Sequence, residues 1–415
     1  MMPTDHKIKN RSLVVIAISL FFYFLFANAL NNSFPKFEKL PLFEAVYIAM
    51  VIAIFISQTI VKKRLFVGEY IMIGMFILLF LFGLISNVFL NYQGLKIVAL
   101  DGVILSKFFV AYFFGRLLYS PEIVNKVMGT LQKCVQLISS VLFVSLVLNL
   151  IFSFWPPDGS RFGLPVQYLF FSHATYLTST AVFCLIFLSL KRGRYDFLFI
   201  GMNLIIVITA GRNKGMLFLG IYLFFILIQF TKKKIPIWSI LGMSIFLYSL
   251  FKNVISERLL SSETAARSVL YQNGLFLANK YFPFGTGFGT YASSASIQNY
   301  STVYEELGFG QMYGFSQQTT FYLTDSFIAM IMGQFGYIGL FLMSSIFVCI
   351  FLLVKKNNQY ENFILLLYIY ILLSTVTENF ISSTYGVLAF FLIGMLVNRK
   401  NRDNSEDSVY HYLKN

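Results

Sequence analysis

Residues 66–90 read FVGEYIMIGMFILLFLFGLISNVFL, and this stretch decides the fold class. It carries one charged side chain, Glu69. About 20 consecutive apolar residues, wound as a helix, cross the hydrocarbon core of a bilayer. Buried in a water-soluble domain, a run this long would need an apolar shell on every side. Working outward, comparable runs recur over 12–30, 41–61, 97–118, 132–154, 166–190, 197–210, 215–231, 236–252, 325–354, 363–379 and 384–397. The whole chain of 415 residues is 57% hydrophobic and 12% charged, with 49 Phe. Soluble domains hold about 25% charged residues, so a water-facing surface is excluded, and so is disorder. The expectation is an all-α polytopic integral membrane protein with about twelve transmembrane helices.

Charge sets the orientation. The net charge is +14, from 32 Lys and Arg against 18 Asp and Glu. Placing both termini inside puts 21 cations on the cytoplasmic side, in Lys62-Lys63-Arg64, Lys232-Lys233-Lys234 and similar clusters. Ten remain outside and Lys107 lies within a span. The basic balance therefore reports topology and implies no nucleic-acid partner. The first apolar run, Leu13 to Leu30, is followed by Asn-Asn-Ser-Phe-Pro-Lys and reads as a retained helix, not a cleaved signal. Cys134, Cys184 and Cys349 sit in apolar runs and read as small packing residues.

The chain divides into membrane helices over 1–252, a large outer loop over 253–324, further membrane helices over 325–397 and a short polar tail over 398–415. A loop of about 72 residues is too long for a bare connector. It holds 14 Phe and Tyr, among them Tyr271, Tyr281, Phe282, Phe284, Phe288, Tyr291, Tyr300, Tyr304, Phe321 and Tyr322. Aromatic faces suit both the C–H faces of sugar rings and a membrane interface. An amphipathic helix is expected over 264–281, followed by Phe282-Pro283-Phe284-Gly285-Thr286-Gly287-Phe288-Gly289-Thr290. Backbone N–H groups at Gly285, Gly287 and Gly289 are candidates for holding an anion such as phosphate.

Outer-side arginines are the sharper signal. Arg161 precedes the sixth span, and Arg212 with Lys214 occupies a short break between the seventh and eighth. Arg258 and Arg267 open the large loop. A guanidinium at a helix end below the membrane surface binds phosphate in a bidentate fork. Asp101 and Lys107, six residues apart in one span, do not share a face and need separate partners. Glu69 and Glu378 read as boundary residues, and His173 as a residue within a span. The sequence has no HExxH, CxxC, GxSxG or nucleotide-binding motif, so no metal or cofactor is expected.

The order of these elements resembles the Wzy-type polysaccharide repeat-unit polymerases and the related O-antigen ligases. The likeness covers roughly residues 150–345 and rests on four elements. They are Arg161-Phe162-Gly163-Leu164 opening a span, Thr209-Ala210-Gly211-Arg212-Asn213-Lys214-Gly215-Met216 at the break, Pro283 to Gly289, and Thr324-Asp325-Ser326-Phe327 running to Gly333-Gln334-Phe335-Gly336-Tyr337-Ile338-Gly339. The resemblance implies a GT-C-like fold in a bacterial plasma membrane, both termini cytoplasmic. It also implies glycosyl transfer at the outer face between undecaprenyl-diphosphate-linked glycans, with the lipid diphosphate leaving and no nucleotide or metal taking part. Membrane lipid, a chain-length regulator and a flippase are the partners it brings. Arg161 and Arg212 match the family's arginines, and Arg267, then Arg258, matches the loop arginine. Asp325 stands where ligases carry a His and is left as either a base or an arginine partner. His173, Lys214, Arg258, Gly285, Gly287, Gly289 and Tyr291 are the substrate-binding candidates. The histidines are His6, His173 and His411, none in the large loop, which favours polymerase over ligase. A flippase of lipid-linked oligosaccharide is the alternative from another class; against it, transporters show related halves, and the N-terminal half has no second such loop.

Overall fold

The computed structural model describes residues 3–34, 42–59, 65–161, 163–190, 195–231, 266–355 and 359–397. Helices dominate: α1 (Pro3–Ser33), α2 (Leu42–Thr59), α3 (Val67–Leu90), α4 (Leu95–Leu117), α5 (Pro121–Phe152), α6 (Ala174–Leu188), α7 (Asp196–Ala210) and α8 (Asn213–Thr231). After them come α9 (Ala266–Lys280), the short α10 (Ser294–Gln298) and α11 (Thr302–Glu306), then α12 (Phe327–Lys355), α13 (Glu361–Thr377) and α14 (Thr384–Met395). The sheet content among the described residues is one two-residue pair, β1 (Ser160–Arg161) against β2 (Leu164–Pro165).

Five helical stretches are long and apolar enough to cross a membrane: Arg11–Ser33, Val67–Leu90, Leu95–Leu117, Pro121–Phe152 and Phe327–Val354. Six shorter apolar helices accompany them. The sides of α3 that face away from the protein carry Ile71, Ile77, Leu78, Leu81, Leu84, Val88 and Phe89, all exposed. Such a surface suits lipid and not water, and the chain is a membrane-embedded all-α protein. These eleven segments overlap eleven of the runs read from sequence; the remaining run, 236–252, lies outside the described residues.

Two boundaries differ from the sequence reading. The helix α5 starts at Pro121, eleven residues before its apolar run, because Ile123, Val124, Val127, Met128 and Leu131 already bury a helical stripe. The helix α6 starts late, at Ala174. Residues ahead of it bond elsewhere, Gln167 N–H to Thr209 O at 3.0 Å, so His173 stands just ahead of the first helical residue instead of lying within a span.

Buried polar groups tie the bundle. Glu69 opens α3 and is fully buried; Arg116, in the last turn of α4, donates to its Oε1 at 2.8 Å. Glu69 thus stands at the span end as read, but as half of a buried ion pair. Lys107 Nζ lies 4.2 Å from the centroid of the Phe43 ring. Asp101 serves the Gly-rich loop, accepting from Gly289 N–H at 2.7 Å.

That loop threads between three helices. Asn87 on α3 accepts from Phe288 N–H at 2.7 Å and donates to Phe288 O at 2.9 Å. On the other side, Thr286 N–H bonds Gly333 O at 3.0 Å and Gly287 N–H bonds Gln334 O at 2.8 Å. Those carbonyls are available because α12 breaks at Gly336, whose φ of 60° and ψ of −156° interrupt the helical ladder. The expected amphipathic helix appears as α9, packed along α12.

Candidate functional site

The site begins with two short devices that place arginines. Asn149, near the end of α5, accepts from Trp155 N–H at 2.7 Å and donates to Gln167 Oε1 at 2.6 Å, which closes the connection carrying β1 and β2. Arg161 emerges from β1. Gly211 ends α7 in the left-handed conformation, φ 61°, and turns the chain so that Arg212 follows beside the Arg161 stem.

Arg212 is held from two sides. Its Nη2 donates to Asp158 Oδ2 at 3.0 Å and to His173 Nε2 at 2.7 Å. Since a guanidinium only donates, Nε2 is the accepting nitrogen, and Nδ1–H is assigned to the 2.8 Å bond with Thr175 Oγ1. Burial, and then the Arg212 charge, push the imidazole down to about 4, so His173 is neutral at physiological pH. Arg212 itself falls to about 10 from burial and the nearby Arg161, and stays charged. Its Nε–H is buried and unspent within the described residues.

The opposite wall comes from three other elements. Arg267, in the first turn of α9, donates Nε–H to Thr377 O at 3.2 Å, and its Nη2 lies 4.0 Å from Asp325 Oδ2. Asp325 precedes α12, and Asn379 N–H bonds Thr324 O at 3.1 Å, so the stretches 324–325 and 378–379 lie side by side. Burial raises the Asp325 carboxyl to about 6; Arg267 pulls it down and Glu378 pushes it up. Lys214, 4% exposed at the start of α8, pairs with Glu378 and reaches Ser179 Oγ at 3.2 Å.

These groups face one cavity of about 890 Å³, within the usual size of small-molecule sites. Arg161, His173, Arg212, Lys214, Arg267, Asp325 and Glu378 line it, with Met312, Tyr313, Phe315, Phe321 and Tyr322 supplying an apolar side. Four cations meet two carboxylates, leaving two positive charges, or one when Asp158 at the rim is counted. That excess favours an anion over a neutral or cationic ligand.

Six residues read from sequence thus meet here: Arg161, His173, Arg212, Lys214, Arg267 and Asp325. Gly285, Gly287, Gly289 and Tyr291 do not. Gly285 N–H bonds Tyr281 O, and the N–H groups of Gly287 and Gly289 bond Gln334 O and Asp101 Oδ2, so these three donors are spent within the protein. Tyr291 is fully buried, its hydroxyl donating to Leu270 O at 2.7 Å. Arg258 lies outside the described residues. Sequence reasoning took Glu378 for a boundary residue and passed over Asp158. For Glu378 the signal was the polar run Ser374-Thr375-Val376-Thr377-Glu378-Asn379 between two apolar stretches. No family model matches this chain, and no curated protein is similar enough to register as a relative.

Proposed function

We propose that the protein is a polysaccharide polymerase that joins undecaprenyl-diphosphate-linked repeat units at the outer face of a bacterial plasma membrane. The observation that carries this reading is the convergence of Arg161, Arg212 and Arg267, from three separate elements, on one cavity that also holds Asp325. In this reading the cavity opens outward, under the segment that follows α9, in a twelve-span, GT-C-like fold with both termini cytoplasmic. A new repeat unit supplies an acceptor hydroxyl, and its oxygen attacks the anomeric carbon of the growing chain. The bond from that carbon to the diphosphate oxygen breaks, and its electron pair leaves with the lipid diphosphate. The arginines offset the charge that develops there. The Asp325 carboxylate takes the hydroxyl proton. Neutral His173 and Asp158 hold the Arg212 fork in place. A flippase supplies the units, and a chain-length regulator is the expected companion.

Deletion of the gene in its host tests the reading. The expected result is surface acceptor capped with single repeat units. Long chains stranded on carrier lipid would mark a ligase, and units retained on the cytoplasmic side a flippase; either outcome overturns the proposal.

A further inference from the structure

The cavity has a second chemistry that the arginines leave unused. One continuous segment, residues 312–322, contributes Met312, Tyr313, Phe315, Phe321 and Tyr322 to its lining. Of the outer-segment aromatics, most are spent on packing. Tyr291, Tyr304 and Phe309 are buried, Tyr304 stacks on Phe309 with centroids 5.7 Å apart, and Phe288 packs between Phe80 and Phe335. Tyr313 and Phe321 differ. They are 74% and 66% exposed, with centroids 6.3 Å apart and planes tilted by 58°.

The ledge carrying them is held firmly. Gly314 has a φ of 83°, and a Cβ there would lie 2.1 Å from the Tyr322 ring, so the turn and that ring fit only with glycine. Tyr322 N–H bonds Gly314 O at 3.0 Å, Gly314 N–H bonds Thr319 Oγ1 at 2.9 Å, and Tyr300 Oη–H bonds Phe315 O at 2.9 Å. Phe315 is buried against Phe309 at 5.0 Å. Two rings kept open to solvent on a braced support, beside a cationic pocket, present flat faces with a polar hydroxyl at one edge. A pyranose ring offers the matching surface, C–H groups on its face and hydroxyls around its rim.

We infer that Tyr313 and Phe321, with Tyr322 beside them, form a saccharide subsite that receives pyranose rings of the glycan next to the diphosphate-binding arginines. This rests on the polymerase reading and adds to it an orientation: the anionic end of the substrate lies at Arg161, Arg212 and Arg267, and the sugars run along the 312–322 ledge. A ledge that instead dipped into the bilayer interface would need the same aromatic exposure but would not respond to sugar.

The test uses the full-length protein in lipid nanodiscs and two separate probes. One is geranyl diphosphate. The other is the host's own repeat-unit oligosaccharide, released from surface polysaccharide by mild acid and carrying neither lipid nor phosphate. Tyr313→Ala and Phe321→Ala are each expected to weaken oligosaccharide binding about five- to tenfold, the worth of a lost aromatic contact, and to leave geranyl diphosphate binding unchanged. Arg212→Ala should do the reverse. Tyr313→Trp should retain oligosaccharide binding and report it by a blue shift in indole emission, which a variant that merely misfolds would not show. Unchanged oligosaccharide affinity in both Ala variants, or no emission change in Tyr313→Trp, overturns the subsite while leaving the polymerase reading intact. If wild-type protein binds neither probe, the polymerase reading falls and the subsite with it.

Discussion

Asp325 makes the polymerase reading measurable through pH. Its carboxyl titrates near 6, raised by burial and by Glu378 and restrained by Arg267. Because that midpoint lies above the ordinary carboxylate range, the proton-accepting form is present above pH 6 and is lost as pH falls through it. About 90% of the protein carries the carboxylate at pH 7, half at pH 6 and about 10% at pH 5. Chain extension by purified protein in liposomes should follow that curve on its acid side. Glu378→Gln removes the like charge. A neighbouring charge of this kind moves a midpoint by roughly half to one pH unit in a partly exposed site. At pH 5.5 the rate should then rise from about a quarter of its plateau to between about half and three-quarters. Since Glu378 also holds buried Lys214, the single variant loses stability as well as charge. Glu378→Gln combined with Lys214→Met removes both halves of the pair and should show the same acid-side displacement, because the groups acting on Asp325 are Arg267, Glu378 and Arg212. The readout is the rate of ladder growth on a gel, each variant normalised to its own plateau. An acid limb centred near pH 4, or one that stays put in both variants, refutes the role assigned to Asp325.

Four further outcomes are expected. Arg161→Ala, Arg212→Ala and Arg267→Ala should each abolish long-chain polymer at undiminished membrane abundance; long chains surviving in all three would sink the mechanism. Arg116→Met leaves Glu69 buried and unpaired and should cost about 3–5 kcal/mol, seen as a lowered Tm in detergent, whereas adding Glu69→Gln should recover most of the loss. Gly287→Ala places a Cβ 2.7 Å from the Asn87 amide at a φ of 92° and should lower Tm. Gly201→Ala, on α7 with nothing within 4 Å, should leave Tm unchanged or raised.

Much of the fold was legible because membrane helices announce themselves by length and apolarity. The stretch 66–90 became α3 within a residue of its expected bounds. Legibility failed where tertiary bonds competed with the local pattern. Residues 166–173 are apolar enough to extend α6, yet the hairpin and the end of α7 claim their backbone. The arginines could be singled out in the sequence because Arg161 and Arg212 stand at breaks in the apolar pattern and Arg267 near the start of the long polar segment, although a cation at a helix end is often only an interfacial anchor. Glu378 was not, because a carboxylate next to an apolar run looks the same whether it faces solvent or a buried lysine 164 residues away. The Gly-rich turn misled for a related reason. Its glycines advertise close backbone approach, and only the structure tells that the approaching groups are Asn87, Asp101 and the broken helix α12.

The break at Gly336 has a consequence for the order in which the protein is made. Residues 282–291 leave the ribosome before α12 does, yet their N–H groups at Thr286 and Gly287 find acceptors only on Gly333 and Gln334. Their other anchors, Asn87 and Asp101, belong to helices synthesised almost two hundred residues earlier. Closing the turn therefore requires α12 as well as the two early helices, which couples completion of the segment 266–324 to completion of the bundle. Synthesis arrested before residue 333 would leave Arg267 on a helix that lacks the α12 surface it packs against, so the cavity forms only once the later helices are in place.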